Sequence, residues 1–492
     1  MVYSNRLPLA RPVLVASAAM VAAFLGAGPV LADDCDGREA IRLVNGKIHT
    51  MDANDSVVNS VLIRNGRFAA VGGGGQGGDG CMKVIDLRGR TVVPVIIDNH
   101  NHIILLGLRP GNDVRLDKAR TVGQVLELIA DKAKELKAGE WVVSLGGINA
   151  SQFLAPTGER RFPNFAELNA ALPNNPVFLF ESFAGPSRTN QLGKDFFESK
   201  SVPVNPDGTI AGGFPTGPSL AALQTLRDLP EHNKLDAQIQ GLLDALDFGL
   251  SVGVTTHVDQ GSFHFAESYF GNTGTPLDGL ASFDEYRAFD SVRALHAAGA
   301  LPARIQINYL HNDMTGDTPK LQARLNNSVP FLGDQWLSNG GIGEFTGGNP
   351  FAFINSEPWL NGTRLAALNG WRNENHSLSR TDFMAILDFW ARVNNELKTS
   401  GIPQTPANPA HPPVVNPAGI TKLRWVLAHV PFITEHYIDL TKELGVGLSV
   451  LGGWRWLSGS PTSNGPPFRT ILERGARAGM SSDGMQISVM DP

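Results

Sequence analysis

Cysteine is nearly absent: the 492-residue chain has two, Cys35 and Cys81. No C-x-x-C or C-x-C pair exists, which excludes a thiolate metal centre of the zinc-finger kind. Charge is sparse as well, with 18% charged residues, a formal net charge of −6 and no basic block, so nucleic acid is not an expected partner. Past the N-terminal segment no apolar run is long enough to cross a bilayer, and no short-period repeat occurs. The tract from Gly72 to Gly80 is nearly all glycine, but no Lys-Ser/Thr follows and no helix opens there. It therefore reads as a loop and not as a phosphate cradle.

What the N-terminus does have is the pattern of an export signal. Arg6 and Arg11 form a positive region, Val13 to Val30 is apolar and rich in small residues, and Val30-Leu31-Ala32 offers a cleavage site before Asp33. Residues 1–32 are read as a cleaved signal peptide, with an uncleaved anchor as the alternative. The mature chain is then expected to be periplasmic or secreted, with no stable membrane insertion. Export places Cys35 and Cys81 in an oxidising compartment; whether they pair stays open, because sequence does not give Cα separations.

Residues 33–90 read as a small β domain. Ile41–Val44 and Lys47–Thr50 flank Asn45-Gly46, and Val61–Arg64 and Arg67–Val71 flank Asn65-Gly66, the strongest short-range hairpin signal. From about residue 91 apolar strands alternate with helical stretches, the pattern of βα units. Candidate strands include Trp141–Leu145, Val177–Phe180, Gly253–Val258, Arg304–Tyr309, Gly341–Phe345, Arg424–His429, Val446–Val450 and Ala478–Asp483. Phe383, Ile386, Leu387, Trp390 and Val393 mark one face of a helix. Thr434 is placed to cap the next helix and Gly445 to end it. Residues 91–492 are assigned to a barrel, and the Pro/Gly-punctuated stretch 147–235 to an insertion over its mouth.

The most informative run is Val92-Val93-Pro94-Val95-Ile96-Ile97-Asp98-Asn99-His100-Asn101-His102. It is apolar and β-branched, and so reads as a buried strand. Residues two apart on a strand share a face, so His100 and His102 aim two imidazoles at one spot. Glu344, His376, His429 and Asp483 close later apolar stretches. In a (β/α)₈ barrel all strand C-terminal ends open on one face, where four histidines and two carboxylates suit Zn²⁺ or a similar divalent ion. Such an ion lowers the pKa of a bound water to about 7 and polarises a carbonyl, and Asp483 could relay the proton to a leaving amine. His257 also ends a strand and stands as a rival ligand or a substrate-binding residue. Arg188 could meet a substrate carboxylate or form a loop salt bridge. Trp454 and Trp456 could wall a pocket or pack a loop. His264, His311 and His436 fall in no pattern and are expected at the surface.

The ordered set of a β-hairpin module, Pro-x-x-x-Asp-x-His-x-His, two strand-end histidines and a strand-end Ser-Asp resembles the amidohydrolase superfamily. Gly-Val-Thr-Thr at 253, Asn-His-Ser-Leu-Ser at 375, Leu-Ala-His at 427 and Ser-Ser-Asp-Gly at 481 look most like its amidohydrolase-3 (YtcJ-like) branch. The resemblance implies an α/β fold, a distorted (β/α)₈ TIM barrel with a small N-terminal β-sandwich-like domain, and hydrolysis of a non-peptide C–N bond in a small molecule. It implies metal-ligand roles for His100, His102, His376 and His429 and a proton-shuttling role for Asp483. Glu344 stands where many relatives carry a bridging carboxylated lysine, so one or two ions are expected. The sequence departs from the family at Val95, where relatives have glycine, and at Pro492, past which relatives continue into strands that return to the sandwich, so that either a fragment or a sandwich closed differently is expected. These departures motivate an alternative, a non-catalytic exported barrel that binds a ligand. A C–O or P–O hydrolase on the same barrel is a further one. A homo-oligomer is left open.

Overall fold

The computed structural model describes residues 40–73, 81–107, 111–116, 119–144, 148, 150–153, 159–181, 185–213, 217–232, 234–261, 289–311, 313–349, 352–403, 412–453 and 465–484. The expected signal peptide, Cys35 with its pairing to Cys81, His264, Trp454 and Trp456 lie outside the described residues. The chain divides into two compact units, Met1–Pro94 and Val95–Pro492.

The first unit is all strand. β1 (Ala40–Val44), β4 (Val61–Arg64), β5 (Arg67–Val71) and β6 (Met82–Asp86) make one sheet in the order β5-β4-β1-β6. β2 (Lys47–His49), β3 (Val57–Val58) and β7 (Thr91–Val92) make another, ordered β3-β2-β7. The second Asn-Gly pair closes the expected hairpin: β4 and β5 are antiparallel, and Asn65 and Gly66 have φ of 51° and 70°, the positive values a two-residue turn of this kind requires. The first pair does not. β1 pairs with β4 and β6, whereas β2 pairs with β3 and β7. Asn45 at φ 56° turns the chain out of one sheet and into the other. Both pairs supply the same backbone freedom; which strands then pair is settled by partners distant in sequence.

In the second unit, β8 (Ile96–Asn101) is followed by a five-stranded sheet built from β9 (Asn112–Asp113), β10 (Val142–Val143), β11 (Val177–Phe180), β12 (Ser187–Thr189) and β13 (Thr209–Ile210), in the order β13-β12-β11-β10-β9. Alternate side chains serve opposite faces, as a strand's period of two demands. Val142, Val177 and Leu179 pack with Val125, Ile129 and Leu168 from the helices Val122–Ala133 and Phe165–Ala171. Val143, Phe178 and Phe180 pack with Phe197, Leu220 and Leu223 from Gln191–Ser199 and Pro218–Arg227. This layer runs from Asn112 to Ile210. Val142–Val143 belongs to it because a short, wholly buried strand reads alike in any sheet.

The remaining strands are β14 (Val254–Asp259), β15 (Arg304–Tyr309), β16 (Leu337–Ile342), β17 (Glu374–Asn375), β18 (Val426–His429), β19 (Gly447–Leu451) and β20 (Ala478–Ser481). They form two parallel four-stranded sheets, β16-β15-β14-β8 and β17-β18-β19-β20. A parallel bridge between Ile342 and Asn373 joins one pair of edges. At the other pair, the Asp483 N–H donates to the His100 carbonyl at 3.0 Å. Hydrogen bonding thus passes from strand to strand in chain order and returns to β8. Gly341 permits the first junction, since a Cβ there would lie 2.7 Å from the Arg372 carbonyl oxygen.

Helices between these strands bury their apolar faces in one large core, except that Leu321 and Leu325 of the helix Pro319–Asn327 pack with Ile342, Leu365 and Trp371 in a smaller one. Phe383, Ile386, Leu387, Trp390 and Val393 of the helix Arg380–Lys398 are all buried, and Ser379 with Asp382 forms a capping box at its start. Trp390 meets Trp425 edge to face at 5.0 Å. Burying side chains of this size contributes roughly 1.5–3 kcal/mol each. Thr434 occupies the N-cap of Glu435–Glu443 without a side-chain cap bond, and Gly445 follows that helix at φ 67°.

Candidate metal centre

The C-terminal ends of β8, β16, β17, β18 and β20 carry the polar residues that the sequence singled out. His100 lies in β8 and His102 just past it. Glu344 lies two residues beyond β16, His376 directly after β17, His429 at the end of β18, and Asp483 two residues beyond β20. Gly343 lets Glu344 come close to β15, because a Cβ there would lie 2.3 Å from Gln260 Oε1 and 2.8 Å from Asn308 Cβ.

Glu344 Oε1 is the hub. It lies 2.9 Å from His100 Nε2, 3.8 Å from His102 Nε2, 3.7 Å from His376 Nδ1 and 3.6 Å from His429 Nε2. Asp483 Oδ1 is 3.5 Å from His102 Nε2 and 3.7 Å from His100 Nε2, and its Oδ2 is 3.9 Å from His429 Nδ1. The ligand atoms form two sets that share Glu344: one with His100, His102 and Asp483, the other with His376 and His429. All are buried except His376, whose side chain is 25% exposed. Asp483 has φ 50°, His429 φ 69° and Val430 φ 43°, so two of the six donors sit on left-handed backbone that costs about 1–3 kcal/mol per residue.

Electrostatics match a site shaped for a cation. Burial opposes a charged ring at His100, yet hydrogen bonds to Glu344 and Glu374 push it up to about 10. Burial likewise opposes ionisation of Glu344, but His102 and His100 hold it well below the usual carboxylate range. The same balance, with His429 as main partner, lowers Asp483. Burial pulls His429 down. Glu344 Oε2 and His429 Nδ1 are buried without hydrogen-bond partners, which a well-packed interior rarely tolerates. Nitrogen and carboxylate donors, held together with lone pairs to spare, fit a borderline divalent ion such as Zn²⁺.

A shell of polar groups holds these donors. Asp98 accepts from the Ser482 N–H at 3.0 Å and from Asn101 Nδ2 at 2.9 Å, tying β8 to β20. Trp359 Nε1 donates to Asn375 Oδ1 at 3.0 Å, and Asn375 Nδ2 donates to the Glu344 carbonyl at 3.0 Å. Asp259 accepts from the Ile104 N–H, and burial raises it to about 6. Glu374 lies 2.7 Å from His100 Nδ1. The sequence reading passed over Glu374, although it stands two residues before His376 in an extended segment, the spacing that singled out His100 and His102.

His257 and Arg188 are not among the donors gathered on Glu344. The His257 ring is held by Asn101 at 2.9 Å, and burial pulls it down to about 4. Arg188 lies in β12, where it donates to Thr209 Oγ1 at 2.5 Å and lies 3.9 Å from Asp207. His311 is buried, contrary to expectation, and His436 is exposed.

Comparison with known proteins follows the same lines. The sequence profile of the Amidohydrolase family matches residues 83–184. Over 230 residues the chain is 29% identical to the N-substituted formamide deformylase of Arthrobacter pascens, covering 44% of this chain and 41% of that protein. Over 262 residues it is 30% identical to Protein LONG AFTER FAR-RED 3 of Arabidopsis thaliana, covering 51% and 42%. The chain thus spans less than half the length of these curated relatives. In three dimensions it resembles an uncharacterized metal-dependent hydrolase from Pyrococcus horikoshii OT3, with TM-score 0.55, 15% identity and coverage of 92% of this chain and 84% of that one. Its counterpart from Pyrococcus furiosus gives TM-score 0.55, 15% identity, 92% and 87%. At that identity the likeness is one of fold. The similarity to the Amidohydrolase family itself is carried by the profile match over residues 83–184.

Proposed function

We propose that this protein is a metal-dependent hydrolase that cleaves a C–N bond other than a peptide bond, in an amide, formamide or cyclic amide. The observation that carries the reading is the convergence of four imidazoles and Asp483 on Glu344. The name of the Arthrobacter relative supports the bond class. The eight parallel strands from β8 to β20 are read as the distorted (β/α)₈ barrel, with the sheet Asn112–Ile210 as its insertion and residues 40–92 as a sandwich-like module.

His100, His102, Glu344 and Asp483 would hold one divalent ion, and Glu344, His376 and His429 a second. Zn²⁺ is the proposed ion, and when bound it would supply an acidified water and a polarised carbonyl. Asp483 accepts the proton given up by the attacking water and delivers it to the leaving nitrogen, which departs as an amine. Its position is fixed by two backbone bonds, Asp483 N–H to the His100 carbonyl at 3.0 Å and His102 N–H to the Gly484 carbonyl at 3.3 Å. Burial of the site strengthens each of these charge interactions relative to water. His257 and Arg188 are proposed substrate contacts of the second rank, since neither reaches Glu344. The apolar N-terminal segment is proposed to export the chain.

The test is elemental analysis of the purified full chain with a screen of N-formyl, N-acyl and cyclic amide compounds. Bound zinc, manganese, iron or cobalt and turnover of one of these classes are expected. No metal, and no activity after reconstitution, overturns the reading; turnover confined to esters or phosphoesters moves it to the C–O or P–O class.

A further inference from the structure

Glu374 lies outside both donor sets, yet it is wholly buried and touches the first of them through His100. Its two oxygens have different company. Oε2 accepts from Asn308 Nδ2 at 3.1 Å and from Arg372 Nη2 at 3.3 Å. Oε1 faces His100 Nδ1 at 2.7 Å. The two donors are themselves anchored, Asn308 Nδ2 to Gln260 Oε1 at 3.0 Å and Arg372 Nη1 to Gln306 Oε1 at 3.2 Å.

We propose that Glu374 is a positioning residue that dictates which nitrogen of His100 keeps its proton. Oε1 requires Nδ1–H, which leaves Nε2, the atom facing Glu344 and Asp483, as the ligand. The inference rests on the reading of this cluster as a metal centre. Its argument is one of polarity. A guanidinium donates and never accepts, so the Oε2 end of residue 374 must be an acceptor. The carboxylate satisfies this while also accepting at its other end. Glutamine has the same shape but only one oxygen. Arg372 and Asn308 draw that oxygen to themselves, and the amide N–H₂ then points at His100 Nδ1. A donor there needs a bare Nδ1, so the proton moves to Nε2 and occupies the lone pair a cation needs. The isosteric substitution therefore reverses the polarity of His100 without removing a side chain.

The experiment is Zn²⁺ binding to the metal-stripped full chain, measured by competition with a chromophoric chelator, with thermal melts of the metal-free proteins to check folding. E374Q is expected to bind about 10–100-fold more weakly than wild type, the usual effect of losing such a partner. E374D keeps an acceptor at both ends and is expected to recover much of that loss. In an H100A background E374Q is expected to change affinity by less than about twofold, because its effect passes through His100. Wild-type affinity in E374Q, an equal loss in E374D, or the same loss with and without His100 overturns the proposal. Should E374Q fail to fold, Asn308→Leu removes one of the two orienting donors at constant charge. It is expected to weaken Zn²⁺ binding severalfold only when His100 is present, and an equal loss in both backgrounds overturns the proposal. A wild-type chain that takes up no Zn²⁺ overturns the metal-centre reading and this inference together, and so is distinct from failure of the inference alone.

Discussion

His429 Nε2 lies 3.0 Å from His376 Nδ1, although the two residues are 53 positions apart. Glu344 Oε1 is 3.6 Å from the first of these atoms and 3.7 Å from the second. Three donors at such distances form a ligand set of their own, and Glu344 links it to His100 and His102. Removing one set should therefore spare the other. His376→Ala is expected to lower the bound metal by about one equivalent per chain, whereas Glu344→Ala disturbs both sets and lowers it further. Elemental analysis after dialysis checks this. A single equivalent in the wild type that survives His376→Ala shows that the second set holds no ion.

Asp483 belongs to the first set by distance and to the proton path by its proposed role, and one substitution separates the two. Asp483→Asn keeps an oxygen near His102 but cannot accept a proton at neutral pH. We expect kcat/KM to fall by about 10²–10⁴-fold, the range for loss of a general base or acid, with metal content near that of the wild type. If metal content falls in step with activity, Asp483 acts chiefly as a ligand.

His100, His102 and His429 stand out in the sequence because each closes an apolar stretch, whereas His376 follows the polar Arg372-Asn373-Glu374-Asn375 and Asp483 the small Ser481-Ser482, and these two stand out only by the ordered set that resembles the family. His100 and His102 are the clearest, two on one strand face. Their supports were not legible, for different reasons. Glu374 and Asn308 lie 66 positions apart and meet only because β15 and β17 flank β16. Asn45-Gly46 supplied a turn but not a hairpin, because turn chemistry fixes local direction and not the pairing partner. Val142–Val143 joined the β13-β12-β11-β10-β9 sheet because a two-residue buried strand carries no mark of which sheet will take it. His311 lies two residues past the alternating strand Arg304–Tyr309, and the charges of Lys320 and Arg324 that act on its ring come from the helix Pro319–Asn327, which no local signal reveals.

Trp359 connects the helical layer to the site. Its indole N–H donates to Asn375 Oδ1, and Asn375 in turn donates to the Glu344 carbonyl. Trp359→Phe fills most of the same volume but leaves a buried amide oxygen without its donor. The expected cost is about 1–3 kcal/mol, seen as a lower unfolding midpoint of the metal-free protein. Because Asn375 also precedes His376, metal dissociation is expected to quicken in the same variant. An unchanged midpoint and an unchanged dissociation rate show that the indole bond neither stabilises nor positions the site.

His311 makes acid stability testable away from the metal donors. Its Nδ1 lies 3.2 Å from the Tyr309 carbonyl, and its Nε2 is buried without a partner. Burial, with Arg324 adding to it, pulls the ring from 6.5 down to about 3. In the unfolded chain the ring takes a proton below about pH 6.5, while in the folded chain it stays neutral until about pH 3. The neutral ring's contribution is therefore complete above pH 6.5 and is lost as pH falls through that window. The upper bound is about 1.4 kcal/mol per pH unit. Asparagine keeps a donor for the Tyr309 carbonyl and does not titrate. His311→Asn is expected to be less stable than wild type at pH 7 and to close that gap as pH falls to 5, by urea midpoints measured at each pH. A gap that stays constant between the two shows that His311 gains a proton as readily folded as unfolded.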